Sequence, residues 1–75
     1  VVKLPRDVSG DQAVRAFKRA GYVVDHIAGS HAILMHPKDL RKRLVVPLHP
    51  VVKVGTLSRI LKDAGLSVDE FIDLL

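Results

Sequence analysis

YVVDHIAGSHAILMH, residues 22–36, decides the fold. Two short runs, YVVDHI (22–27) and HAILMH (31–36), are rich in β-branched and aliphatic side chains and flank Ala28-Gly29-Ser30. Such runs on either side of a small Gly-Ser turn read as a β-hairpin, with Gly29 free to take the positive φ of a tight turn. Two registers fit. A two-residue Gly29-Ser30 turn of type II′ pairs Ala28 with His31 and sets His26 on the same face, one diagonal away. A three-residue turn pairs Ile27 with His31 and brings Asp25 there instead. The two-residue turn is the preferred reading.

The rest of the chain follows outward. KDLRKR (38–43) breaks the apolar pattern with charge, placing Lys38, Arg41, Lys42 and Arg43 in or beside a loop. LVVPL (44–48) reads as a third strand ending at or near Pro47, and HPVVK (49–53) as a connector. Upstream, Ser9 and Gln12 have the spacing of a capping box, and Gly21 sits where a left-handed C-terminal cap is wanted. Between them Ala13, Val14, Phe17 and Ala20 share one helical stripe, with Arg15, Lys18 and Arg19 pointing away. Downstream, GTLSRILKDAG (55–65) reads as a second helix with Leu57, Ile60, Leu61 and Ala64 on one face. A second capping box, Ser67 to Glu70, opens a short third helix that turns Phe71 and Leu74 inward.

The order α-β-β-β-α-α predicts an α+β fold of two layers, helices on one face of a three-stranded antiparallel sheet. The other face is left for water or a partner. On strand two, Ile33 and Met35 either line that open face or pack on the helices. No linker, repeat or low-complexity segment divides residues 1–75, which read as one domain near the lower size limit for a single core. Such a chain seldom has more than roughly 3–5 kcal/mol of stability in hand, so a stable partner matters to its survival.

Composition narrows the function. With no cysteine, neither a disulfide framework nor a thiolate metal site is available, which fits a reducing cytosol. No apolar run approaches the ~20 residues of a membrane span, and VVKLPRD is too short and broken for a signal peptide. Twelve Lys+Arg against eight Asp+Glu give a net charge of +4, favouring a polyanion, first a nucleic-acid backbone and second an acidic protein surface. The three aromatic residues, Phe17, Tyr22 and Phe71, make no stacking platform, so contact through phosphate and shape is expected rather than base stacking.

Among titratable groups the histidines stand out. His26, His31 and His36 are spaced five apart, but odd spacing alternates faces along a strand while zinc needs convergent ligands, so no metal site is expected. Phosphate-loop, serine-triad and paired-acid signatures are missing too. His31 follows the Gly-Ser turn at the first residue of a strand, where it can reach past the sheet edge. A lone histidine there is more often structural than catalytic, yet imidazole is the side chain best matched to moving a proton at neutral pH. On a basic domain the proton worth moving is the ribose 2′-hydroxyl of RNA. His49 and Lys53 precede a helix N-terminus at Gly55-Thr56, whose amides can hold an anion; Thr56 can equally be a plain cap.

KLPRDVSGDQAVRAFKRAGYVV, GSHAILMHP and VVPLHPVVKVGTLSRILKDAGLSVDEFIDL resemble the HicA (YcfA-like) toxins of bacterial and archaeal toxin–antitoxin pairs, over nearly the whole chain. The most specific parts are Gly29-Ser30-His31 and the block from Pro47 and His49 through GTLSRILKDAGLS. The resemblance implies a fold similar to double-stranded RNA-binding domains, and a ribosome-independent mRNA interferase with no known metal or cofactor requirement. It implies His31 as catalytic residue, a cognate HicB-type antitoxin that blocks the site, and oligomers formed through that complex. On this reading His31 takes the 2′-hydroxyl proton, with Gly29 and Ser30 beside it. Lys53 and the amides near Gly55 and Thr56 stabilise the phosphoryl oxygens, while Arg41, Lys42 and Arg43 hold flanking RNA. The second catalytic group stays open among His26, Asp25, His49 and Lys53. The alternatives are a non-catalytic double-stranded-RNA-binding module and a domain serving only a protein partner.

Overall fold

A computed structural model describes residues 3–75; Val1 and Val2, which open VVKLPRD, lie outside them. The elements run α1 (Gly10–Arg19), β1 (Val23–Ala28), β2 (His31–His36), β3 (Asp39–Pro47), α2 (Val54–Ala64) and α3 (Val68–Leu74). The strands form one antiparallel sheet in the order β1-β2-β3. This is the expected α+β arrangement, with α3 as an extra C-terminal helix.

Local chemistry sets the helix ends. Ser9 and Gln12 form a complete capping box, the Ser9 hydroxyl accepting from the Gln12 amide at 3.1 Å and the Gln12 side chain accepting from the Ser9 amide at 2.9 Å. Ser67 and Glu70 repeat it on α3 at 3.1 and 3.0 Å. At the end of α1, Gly21 takes φ +102°, its amide donating to the Lys18 carbonyl and the Tyr22 amide to that of Phe17. That pair of bonds is a Schellman motif. Tyr22 consequently folds back on Phe17, ring edge to face at 6.2 Å.

The helices cover one face of the sheet. Ala32 and Leu34 of β2 and Leu44 and Val46 of β3 are buried with Phe17, Leu57, Leu61 and Phe71 in one cluster. Strand alternation then turns His31, Ile33 and Met35 to the open face, where Val45 is 51% exposed. Ile33 and Met35 therefore belong to the open face, not to the helix layer. All three aromatic residues are buried. Phe17 and Phe71 pack at 5.4 Å, and the Tyr22 hydroxyl donates to the Ala64 carbonyl at 3.5 Å. Burial, and secondarily the Asp39 carboxylate, raise that phenol above its ordinary pKa of 10.0.

Two boundaries differ from the sequence reading. β3 begins at Asp39, so Arg41, Lys42 and Arg43 are strand residues rather than loop residues. His36 pairs with Asp39 and Met35 with Arg43 across a short Pro37-Lys38 turn. The charge misled because Leu40 through Arg43 are exposed and no β3 side chain is buried before Leu44. α2 begins at Val54 with Lys53 as N-cap, so Thr56 lies inside the first turn and is not the cap.

Candidate active site

The hairpin has the two-residue register: Ala28 pairs with His31. Gly29 has φ +61° and Ser30 has no positive φ, the type II′ pattern. His31 thus starts β2 on the open face, exposed at the end of the sheet. His26 stands opposite Ile33, two pairs further from the turn.

The register slips between Val24 and His26, leaving Asp25 as the extra residue of a β-bulge. The bulge gives Asp25 a different partner from the one the three-residue register offered: it meets His26 rather than His31. His26 occupies the diagonal position, and the Asp25 carboxylate accepts from His26 Nδ1 at 2.8 Å while lying 3.7 Å from the Arg43 guanidinium. The His26 hydrogen bond first, with the His26 and Arg43 charges behind it, holds the Asp25 carboxyl below its ordinary 3.8.

A second imidazole faces His31. The rings of His31 and His49 are 6.3 Å apart, inclined at 62°, and both residues are exposed. Backbone bonds beside each residue fix the pairing. The Leu48 amide donates to the Ser30 carbonyl at 2.6 Å, the Gly10 amide to the His49 carbonyl at 2.9 Å, and the Val52 amide to the Val8 carbonyl at 2.7 Å. The connector from Leu48 to Val52 is therefore sewn to the β1–β2 turn on one side and to the start of α1 on the other. Gly10 makes that seam possible. A Cβ there would overlap the Pro47 carbonyl oxygen and lie 2.7 Å from Leu48 Cα. In the sequence Gly10 reads only as part of a helix start, since a contact with residues so distant leaves no local signal.

The remaining site residues separate. Gly29 and Ser30 form the turn beside His31. Lys53, exposed, is the N-cap of α2; its side chain makes no cap bond, and the first turn has no acidic residue. Thr56 is exposed on that turn. The basic run does not converge on His31. Met35 faces Arg43 while His31 faces Pro47, which puts Arg43 about 13 Å along the sheet at ~3.3 Å per residue. Arg41 lies 3.5 Å from the Asp39 carboxylate. Lys42 alternates to the helix side, its Nζ 3.9 Å from where a Cβ at Gly65 would stand, close to the negative C-terminal end of α2.

His36 belongs to the other face. Its ring packs edge-on against Tyr22 at 5.1 Å, and its Nδ1 accepts from the Lys38 amide at 3.2 Å. Among the described residues, no three His, Cys, Asp or Glu side chains are grouped to hold a metal ion, and no helix is long and apolar enough to cross a membrane.

An exposed pair of imidazoles on a basic domain, one on a Gly-Ser turn and one on a pinned connector, is suited to proton transfer at an anionic group. No curated protein matches the chain. The family model described as HicA toxin of bacterial toxin-antitoxin matches residues 10–66. That span takes in α1, the whole sheet and α2, with Gly29-Ser30-His31 and His49 inside it. The chain belongs to the HicA toxin family, toxins that pair with a cognate antitoxin.

Proposed function

We propose that this toxin is a ribosome-independent endoribonuclease acting on mRNA in the cytoplasm, with His31 as the base that takes the ribose 2′-hydroxyl proton. The observation that carries the reading is the type II′ turn at Gly29-Ser30, which delivers His31 to the exposed end of the open face. The freed 2′-oxygen attacks the adjacent phosphorus. Amides of Gly29 and Ser30, the Lys53 ammonium and the uncapped start of α2 around Thr56 offer positive charge to the phosphoryl oxygens. His49 faces the same phosphate. Arg41 and Arg43 hold RNA backbone further along the open face, and Lys42 adds to the general positive field. The cognate antitoxin, on this reading, silences the toxin by covering His31, and larger assemblies form through that complex.

The test is induced expression of wild type and His31→Ala, with cleavage of a defined mRNA by the purified proteins. Growth arrest and cleavage by wild type, both lost in a folded His31→Ala, are the expected results. Salt-dependent RNA binding without cleavage by either would replace the nuclease with a binding module.

A further inference from the structure

Resting on the endoribonuclease reading, we infer that His49 is the second catalytic residue, the acid that protonates the leaving 5′-oxygen while His31 takes the 2′-proton. In-line displacement puts the entering and leaving oxygens on opposite sides of phosphorus, so base and acid must stand apart and face each other across one phosphate. Each must lie within about 2.6–3.2 Å of its oxygen. Two rings 6.3 Å apart, set edge-on at 62°, are close enough for one phosphodiester to meet both.

The backbone supports the pairing. The carbonyl of Ser30, the residue before His31, accepts from the amide of Leu48, the residue before His49. The two imidazoles therefore spring from neighbouring, hydrogen-bonded stretches of chain. The His49 carbonyl is held in turn by the Gly10 amide, and only a glycine at position 10 lets α1 come that close. A connector residue with no structural task for its side chain is thus fixed at its backbone and left exposed at its ring.

The other candidates for the acid are less well placed. Asp25 already serves His26 and Arg43. His26 has Nδ1 on Asp25 and stands opposite Ile33, two pairs from the Ala28–His31 pair. Lys53, the N-cap of α2, serves the phosphoryl oxygens as an electrostatic group.

The step balances without a further reactant. The 2′-hydroxyl proton passes to a ring nitrogen of His31 as the O2′–P bond forms. The P–O5′ bond breaks with its electron pair on O5′, and that oxygen takes the proton of the His49 imidazolium. The products are a 2′,3′-cyclic phosphate end and a 5′-hydroxyl end.

Two RNA substrates test this. One is ordinary RNA carrying a linkage the wild type cuts; the other replaces the bridging 5′-oxygen of that linkage with sulfur, which departs as a thiolate and needs no proton. His49→Ala is expected to slow cleavage of ordinary RNA by about 10²–10⁴-fold and cleavage of the sulfur-bridged RNA by less than about tenfold, while His31→Ala loses both. His26→Ala, measured alongside, should stay within about threefold on both. Equal losses by His49→Ala on the two substrates, no loss on either, or sulfur rescue of His26→Ala or His31→Ala instead would overturn the assignment. Wild type cutting no RNA would sink the endoribonuclease reading itself, and this inference with it.

Discussion

The Gly10 amide meets the His49 carbonyl at 2.9 Å, joining the first turn of α1 to the connector between β3 and α2. Replacing Gly10 sets two effects against each other. Alanine in a helix is favoured over glycine by roughly 0.8–1.0 kcal/mol, but its Cβ would stand against the Pro47 carbonyl and 2.7 Å from Leu48 Cα. Those neighbours are backbone, which cannot swing aside, and overpacking of this kind costs about 1–3 kcal/mol. Gly10→Ala should therefore be net destabilising in urea unfolding, where helix propensity alone predicts a gain.

Gly29 poses the opposite case. Nothing lies within 4 Å of a Cβ there, but φ is +61°. Gly29→Ala should cost about 1–2 kcal/mol through backbone conformation alone. Chemical synthesis with D-alanine at position 29, whose preferred φ is positive, should restore or exceed wild-type stability. Equal losses for both enantiomers would show that the turn is not what limits the hairpin.

Phe71 lies beyond the family-matched residues 10–66 yet is fully buried against Phe17. Phe71→Ala should cost about 3–5 kcal/mol, as much as a domain of this size has to lose. The variant should show a largely unfolded NMR spectrum at room temperature. A folded variant would mean that α3 is dispensable to the core.

Acid should loosen α3. Bonds from the Ser67 amide, then its hydroxyl, hold the Glu70 carboxyl below its ordinary 4.5. A carboxyl with a depressed native pKa adds stability that is present above its unfolded value and is lost as pH falls through the native one. Asp25, depressed by His26, adds in the same sense. Glu70→Gln keeps a box-forming acceptor, as Gln12 does on α1, but cannot titrate. Its stability, followed by denaturation from pH 7 to pH 3, should fall less steeply than that of wild type.

Salt should separate the cations by face. If RNA lies along the open face, Arg43→Ala should lower the slope of log affinity against log salt by about 0.7, the value of one lost single-strand phosphate contact. Lys42→Ala, its side chain turned toward the C-terminal end of α2, should change that slope less. Filter binding at several salt concentrations measures both.

Features whose physics is local were legible in the chain. The Ser9–Gln12 and Ser67–Glu70 boxes and the glycine stop at Gly21 each involve residues within a turn of one another, and each formed as read. The Gly29-Ser30 turn was readable for the same reason, and it fixed the side of the sheet that His31 faces. The start of β3 was not, because its pairing with β2 runs through Asp39 and Arg43 and skips the exposed residues between them, with no buried side chain before Leu44 to mark a strand. The bulge at Asp25 and the proximity of His49 to His31 arise from pairing between distant segments, and neither leaves a periodic trace.

The seam of Val8 and Gly10 against His49 and Val52 also bears on the moment during synthesis at which this toxin becomes dangerous. The N-terminal side of the seam leaves the ribosome early and must wait for the connector, and Phe17 must wait longer still for Phe71. Contacts so far apart in the chain close late in folding. A nascent chain that already displays the Gly29-Ser30-His31 turn still lacks the partner imidazole and the core beneath it. The proposed site at His31 and His49 is thus completed only once both sides of the seam have been made.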